Sequence, residues 1–272
     1  MPDASLPPLV DSHCHLTWNS FDPDRDGVLH RMRAEGVAQA VVVATDPSTA
    51  RRARELCRGV DGLFPTAGIH PNDVPDDLDG ALSEIEALLA DRANGAFFGV
   101  GETGLDYYRD EVVKERQHVA FERQIGLARK FDLPVIVHIR DKTGSVACYD
   151  DVATILEREC ARGGVRGVIH CYTGDAAHAE RYRACGFYIS FSGILTFPNG
   201  ENVREAARSV PLASTLVETD APFLAPLPWR GKRCEPAFVA ATAKKLAELH
   251  RVSEADCRRA TTANARKLFR LP

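Results

Sequence analysis

Short apolar runs rich in β-branched residues alternate with amphipathic stretches from one end of the chain to the other. The runs fall near 9–12, 38–44, 63–68, 96–101, 134–138, 166–170, 187–191 and 214–218, a pattern that predicts eight strands. Continuous segments such as Ala40-Val41-Val42-Val43-Ala44 and Pro134-Val135-Ile136-Val137 suit strands buried on both faces, as a parallel sheet requires. Between the runs the period changes. Phe121, Gln124, Ile125 and Ala128 stand at i, i+3, i+4 and i+7, with Glu122, Arg123 and Lys130 on other faces, which predicts a helix. Ser253 ahead of Glu254 and Asp256 offers an N-cap and an acidic first turn to a last helix through Asn264 to Leu268. Dividing 272 residues by eight strands gives 34 per unit, the size of a strand–helix repeat with its connections. The fold class expected is α/β, a single (β/α)8 TIM barrel with a C-terminal helix, spanning residues 1–272 as one domain. The prolines at 222, 226, 228 and 236 cluster after the eighth strand, where they shape a loop rather than divide the chain.

Composition narrows the function classes. Hydrophobic residues make up 44% and charged residues 26%, the balance of a globular protein with a sizeable core. A formal net charge of −4 argues against coating nucleic acid through bulk positive charge and confines any such contact to a local site. The eight cysteines, Cys14, Cys57, Cys148, Cys160, Cys171, Cys185, Cys234 and Cys257, form no CxxC pair, and free thiols in a reducing compartment are expected. The opening MPDASLPPLVDSHCHL has neither the basic nor the apolar region of a signal peptide, and no stretch has the length of a membrane span. The expectation is a cytoplasmic protein with no membrane contact and no obligate protein partner.

The chemistry lies at the strand ends. Six potential metal ligands, His13, His15, Glu102, His138, His170 and Asp220, follow the first, fourth, fifth, sixth and eighth predicted strands. A barrel gathers such positions at one rim. Asp11, His13 and His15 stand at i, i+2 and i+4, so in a regular strand all three point one way and Ser12 and Cys14 the other. A lone HxH reads equally as two ordinary histidines, and His138 or His170 alone reads better as a core histidine. The ordered set is what carries the argument. Glu102 follows AFFGVG, where a buried carboxylate without a cation or donors is costly. Six donors exceed the three or four that a single zinc takes from a protein, so two divalent ions are expected. His13, His15, Glu102 and Asp220 are assigned to one, and Glu102, His138 and His170 to the other, with Glu102 bridging. Imidazole favours zinc, manganese or related ions, whereas magnesium prefers oxygen, and the metal's identity stays open. Such a pair activates water for hydrolysis, with Asp220 able to accept the water's proton.

The segments VDSHCHL, GIHP, GETGLDYY, PVIVHIRD, HCYTG, GFYISFSGILTF, LVETDAPFLAP, RGKR and NARKLF resemble, in order, the motifs of the TatD family of metal-dependent deoxyribonucleases, within the amidohydrolase-like TIM-barrel group. The resemblance spans nearly the whole chain. It implies a (β/α)8 barrel, two divalent metals on the six ligands named above, and DNA as the substrate whose phosphodiesters are hydrolysed. The chain departs from the pattern at Cys234, where asparagine is common, at Asn72, where a second histidine is frequent, and in IRDKTGSVACYDD, a longer connection than usual.

Several rim residues join as candidates. His70, in AGIHP, is read as a catalytic hydrogen-bond donor to the scissile phosphate or the outgoing oxygen, beside Asp220 and Glu102; its plain reading is a turn residue held by Pro71. Arg230, Lys232 and Arg233 form a basic run after the Asp220 strand and, with Arg140, are expected to position phosphate, arginine being able to do so bidentately. Tyr107, Tyr108 and Phe223 either stack on a base or close the pocket. Two other readings compete. One is a hydrolase of a small ester, an amide or aminoacylated RNA on the same binuclear site, since fold and metals do not fix substrate. The other is a non-catalytic, metal-stabilised binding protein.

Overall fold

The computed structural model describes residues 6–272. Strands and helices alternate through it: β1 (Leu9–Cys14), α1 (Arg25–Ala34), β2 (Val37–Val42), α2 (Pro47–Arg58), β3 (Leu63–Pro65), α3 (Leu78–Ala90), β4 (Val100–Asp106), α4 (Lys114–Phe131) and β5 (Val135–Arg140). Then follow α5 (Ala147–Ala161), β6 (Gly167–Ile169), α6 (Ala176–Ala184), β7 (Tyr188–Phe191), α7 (Glu201–Ser209), β8 (Thr215–Val217), α8 (Val239–His250) and α9 (Glu254–Phe269). All pairings are parallel, in two sheets ordered β1-β2-β3 and β4-β5-β6-β7-β8. Single parallel bridges join the sheets at both seams, Cys14 with Ala221 and Ala67 with Val100. There His15 N–H donates to the Ala221 carbonyl at 2.7 Å, and Gly101 N–H to that of Ala67 at 2.9 Å. The result is a TIM barrel, as the alternation predicts.

Two apolar clusters hold it. The larger packs the helices onto the outer strand faces. The smaller gathers Val10, Val41, Phe64, Ile136, Val168 and Leu216 from six strands against Leu268 and Phe269 of α9, so the last helix seals the barrel interior at the end away from the ligand-bearing rim. Ser253 caps α9 by accepting the Asp256 N–H at 3.0 Å, as expected. In α4 the stripe Phe121, Gln124, Ile125 and Ala128 is buried. Its polar member is satisfied: the Gln124 amide accepts Ile69 N–H at 2.7 Å and donates to Ile69 O at 3.0 Å and Thr103 Oγ at 2.7 Å. That clamp fixes the neighbours of His70 and Glu102 against one helix.

Two departures from the expected strands matter for the site. The run at 96–101 is not the fourth strand; β4 is 100–106, so Glu102 sits inside the strand rather than after it. Phe98 packs edge to face on Phe64, ring centroids 4.8 Å apart, before the strand begins. β1 and β4 also each carry an extra residue against their partners, between Asp11 and Cys14 and between Val100 and Thr103. A bulge re-aims side chains, and here both bulges lie at metal-ligand candidates. Strict alternation therefore fails in β1. The Asp11 carboxylate turns to Thr219, whose N–H and hydroxyl donate to it at 2.9 and 2.6 Å, and it does not join His13 and His15.

Candidate metal centre

Strands β1, β4 and β5 and the segments that follow β1, β6 and β8 bring His13, His15, Glu102, His138, His170 and Asp220 together. Glu102 lies in the middle. Its Oε1 is 2.8 Å from His138 Nδ1 and 2.8 Å from His170 Nε2, while its Oε2 is 3.4 Å from His13 Nε2 and 3.5 Å from His15 Nε2. Asp220 Oδ1 closes the second group, 3.7 Å from His13 Nε2 and 3.4 Å from His15 Nε2. One carboxylate thus faces two pairs of imidazoles, one with each oxygen.

The donor set fits metal ions. The Nε2 atoms of His13 and His15 are 3.2 Å apart, and His138 Nδ1 and His170 Nε2 are 3.3 Å apart. Two imidazole nitrogens on one tetrahedral zinc, each roughly 2.0–2.1 Å from it, lie about 3.3 Å from one another. An N–H···N bond between two rings has the same spacing, but here each pair also faces a Glu102 oxygen, the mixed nitrogen and carboxylate set that a divalent ion takes. His13, His15 and Asp220 form one compact set of donors, and His13, Glu102 and His170 another.

The charges are set by proximity. Burial opposes ionisation of Glu102, but His170, His70 and His13 outweigh it and hold the carboxylate well below its ordinary range. Burial likewise opposes the charge on His170, yet Glu102 and Glu218 raise it well above the ordinary imidazole value. His15 and His138 are raised in the same way, against burial, by Asp220 with Glu102 and by Asp106 with Glu102. Without a cation, protons compensate the carboxylates.

Two further carboxylates, which the strand-end pattern does not single out, decide which ring nitrogen faces inward. His138 Nε2 lies 3.2 Å from Asp106 Oδ2, and this oxygen also accepts Asn72 Nδ2–H at 2.8 Å. His170 Nδ1 lies 3.2 Å from Glu218 Oε1, which accepts Cys171 N–H at 2.8 Å. Outer carboxylates of this kind fix the tautomer of ligating histidines. Their sequence signal is a charged residue inside an apolar strand motif, four after Glu102 and two before Asp220. His15 Nδ1 is held instead by the Val43 carbonyl at 3.1 Å.

His70 lies on the same rim, its Nε2 3.6 Å from Glu102 Oε1. Its Nδ1 accepts the Asn72 N–H at 3.1 Å, so the neutral ring carries its proton on Nε2. Burial, reinforced by His138, pushes its pKa down to about 3 despite Glu102. The ring is a neutral donor aimed into the site.

The cavity over the centre measures about 580 Å³, within the range of small-molecule sites. Arg140 lines it, its guanidinium 3.8 Å from the Tyr108 ring centroid, and so does Arg109, which the sequence did not mark. The basic run lies elsewhere. Arg233 donates to Ser20 O and to both Asp24 oxygens, the latter at 2.8 and 2.7 Å. Arg230 stacks over Phe197 at 4.3 Å, and Lys232 is exposed outside the cavity lining. Tyr107 is buried with its hydroxyl on Asp151 at 2.7 Å, whereas Tyr108 and Phe223 are exposed.

The chain matches known proteins along nearly its whole length. A family model described as TatD related DNase matches residues 10–270. The chain is 39% identical over 263 residues to the uncharacterized metal-dependent hydrolase YabD of Bacillus subtilis, covering 97% of this chain and 99% of that protein. It is 40% identical over 266 residues to the uncharacterized metal-dependent hydrolase YcfH of Escherichia coli K12, covering 97% and 96%. Among solved structures, the TatD homolog YjjV of Escherichia coli K12 superposes with a TM-score of 0.88 at 31% identity, covering 97% and 98%.

Proposed function

The chain belongs to the TatD-related family of metal-dependent hydrolases, and on that footing we propose that it is a nuclease hydrolysing DNA phosphodiester bonds at a two-metal centre. The observation that carries this reading is Glu102, each of whose oxygens faces a separate pair of imidazoles. A single-metal site has no use for that arrangement. We assign His13, His15, Glu102 and Asp220 to one ion and Glu102, His138 and His170 to the other. Divalent ions held there supply Lewis acidity toward phosphoryl oxygens and acidify water.

The chain's own groups do the rest. Asp220, kept ionised against burial by His15, His13 and His170, accepts the proton of the attacking water as the new P–O bond forms and the scissile P–O bond breaks, the departing oxygen taking its proton from solvent water. His70 presents Nε2–H to a phosphoryl or departing oxygen. Being neutral, it acts as a hydrogen-bond donor and does not hand over a proton, since that would leave an imidazolate. Asp106 and Glu218 hold His138 and His170 with the ligating nitrogen inward. Arg140 and Arg109 are placed to steady a neighbouring phosphate. All eight cysteines are unpaired, which suits a reducing compartment, and we place the reaction in the cytoplasm. Among the described residues no helix is long and apolar enough to cross a membrane.

The test is metal-dependent degradation of labelled single- and double-stranded DNA by the purified protein, beside His138→Ala and Asp220→Ala. Cleavage abolished in both variants is expected; DNA left intact by the loaded wild type would sink the reading. One observation favours a second use of the same centre, on a small ester, an amide or aminoacylated RNA: Arg230, Lys232 and Arg233 do not line the cavity, which leaves few cations for a long strand. Turnover of small esters that survives Arg140→Ala while DNA cleavage does not would show that use.

A further inference from the structure

The cavity over the metal centre has two unlike walls. On the side of β1 and the loop after β8, Trp18 and Phe223 meet edge to face, ring centroids 4.9 Å apart. Both line the cavity, yet 42% of Trp18 and 41% of Phe223 stays exposed. Their rings stand 6.2 and 6.4 Å from that of His15, within reach of a group attached to anything bound at the metal ligands. On the side of β4 and β5 the wall is cationic, made by Arg140 over Tyr108 and by Arg109. Large aromatic surface left bare beside a catalytic cavity marks a place where a partner ring is to be covered.

We infer that Trp18 and Phe223 form a subsite for one unpaired nucleobase at a strand end. The base lies on one ring face and against the edge of the other. The scissile phosphate then lies at the ions that His13, His15, Glu102 and Asp220 would hold, and the next phosphate reaches Arg140 and Arg109. A base inside a duplex has both faces covered by its neighbours and offers none to this wall. The inference rests on the nuclease reading above and adds to it the side of the centre on which the base sits. It also assigns the exposed rings a task, whereas Tyr107, tied to Asp151, only closes the barrel wall.

The chain has two tryptophans, and Trp229 stacks on Phe238 with centroids 4.2 Å apart, so Trp229→Phe keeps that stack and leaves Trp18 as the sole indole. In this background, stopped-flow emission is read before turnover with short single-stranded oligomers, in deoxy and ribo form, and with the same oligomers bearing a base-free terminal residue. Base-terminated oligomers are expected to quench Trp18 and base-free ones not to. Trp18→Ala and Phe223→Ala are expected to weaken binding of base-terminated oligomers by between about 5- and 150-fold and so abolish the preference over base-free ones. Trp18→Phe should restore part of it. Equal quenching by both oligomers, an unchanged preference in both alanine variants, or no binding of either oligomer overturns the subsite. Base-dependent quenching without any cleavage would instead keep the subsite and remove the nuclease reading.

Discussion

Asp106→Asn separates the two halves of the proposed centre. In the wild type, Asp106 Oδ1 accepts Tyr108 N–H at 2.9 Å, and Oδ2 accepts from Asn72 at 2.8 Å and faces His138 Nε2 at 3.2 Å. Burial resists this charge, but His138, Tyr108 N–H and Asn72 hold the carboxyl at about 2, so it is purely an acceptor at working pH. An asparagine amide must point its NH2 at one of these donors. If it faces Tyr108 N–H, a fixed backbone donor loses its acceptor. If it faces His138, the ring must take the other tautomer and put a proton on Nδ1, the atom 2.8 Å from Glu102 Oε1. Loss of one charge-assisted bond costs about 1.5–3 kcal/mol, and outer partners of ligating histidines are worth about 10–100-fold in metal affinity, or about 1.4–2.7 kcal/mol. The second set, His13, His15 and Asp220, has no bond to Asp106. Chelator competition with zinc or cobalt, read as two binding steps, should therefore show one step weakened about 10–100-fold and the other within about twofold. Nitrogen NMR of the imidazoles should show the His138 tautomer reversed in the variant. Both steps weakening together, or neither, would refute the reasoning that Asp106 acts through one ring of one site.

Three further outcomes follow from the same geometry. His70→Ala should lower kcat by about 10²–10³ while both metal affinities stay unchanged, as for loss of one pre-aligned donor; since His70, Asp106 and His138 could also share an ion, loss of a metal from this variant would make His70 a ligand instead. Metal binding should release protons and weaken as pH falls, because His15, His138 and His170 are all raised in the metal-free site and must give up a proton to bind; Glu218→Gln, which removes one of the carboxylates raising His170, should lower the proton count measured by calorimetry in buffers of different ionisation enthalpy. Phe269→Ala should cost about 3–5 kcal/mol in urea unfolding, since the ring is 2% exposed and plugs the barrel interior; a cost under about 1 kcal/mol would mean that α9 does not seal it.

What could be read from the chain follows from how far each signal travels along it. The eight strands and the Ser253 cap were legible because hydrophobic period and capping are local. The fourth strand was placed too early, at 96–101, because Ala96, Phe97 and Phe98 are as apolar as a strand, while β4 proper begins at Val100 and runs on through Glu102 and Asp106. A strand that turns polar groups into a ligand-binding rim looks from its sequence like the loop after one. The six donors were legible for a related reason: in a barrel, one coordinate, the strand end, suffices to bring distant residues together. Ring polarity needs two coordinates. Which nitrogen of His138 faces Glu102 depends on a carboxylate from β4 opposite a ring from β5, and for His170 on Glu218, 48 residues away. The arginines show the same limit from the other side. Arg233 sits in a basic run that reads as a phosphate contact, yet its guanidinium is spent on Asp24, 209 residues earlier. Arg109 lies beside GETGLDYY with nothing to mark it and lines the cavity. Sequence therefore exposes which groups can reach the centre, and only the paired contacts decide which of them are free to act there. His138 and His170 turn a ligating nitrogen inward and His70 an N–H, so substitution of either of the first two should cost metal and turnover together, and substitution of His70 turnover alone.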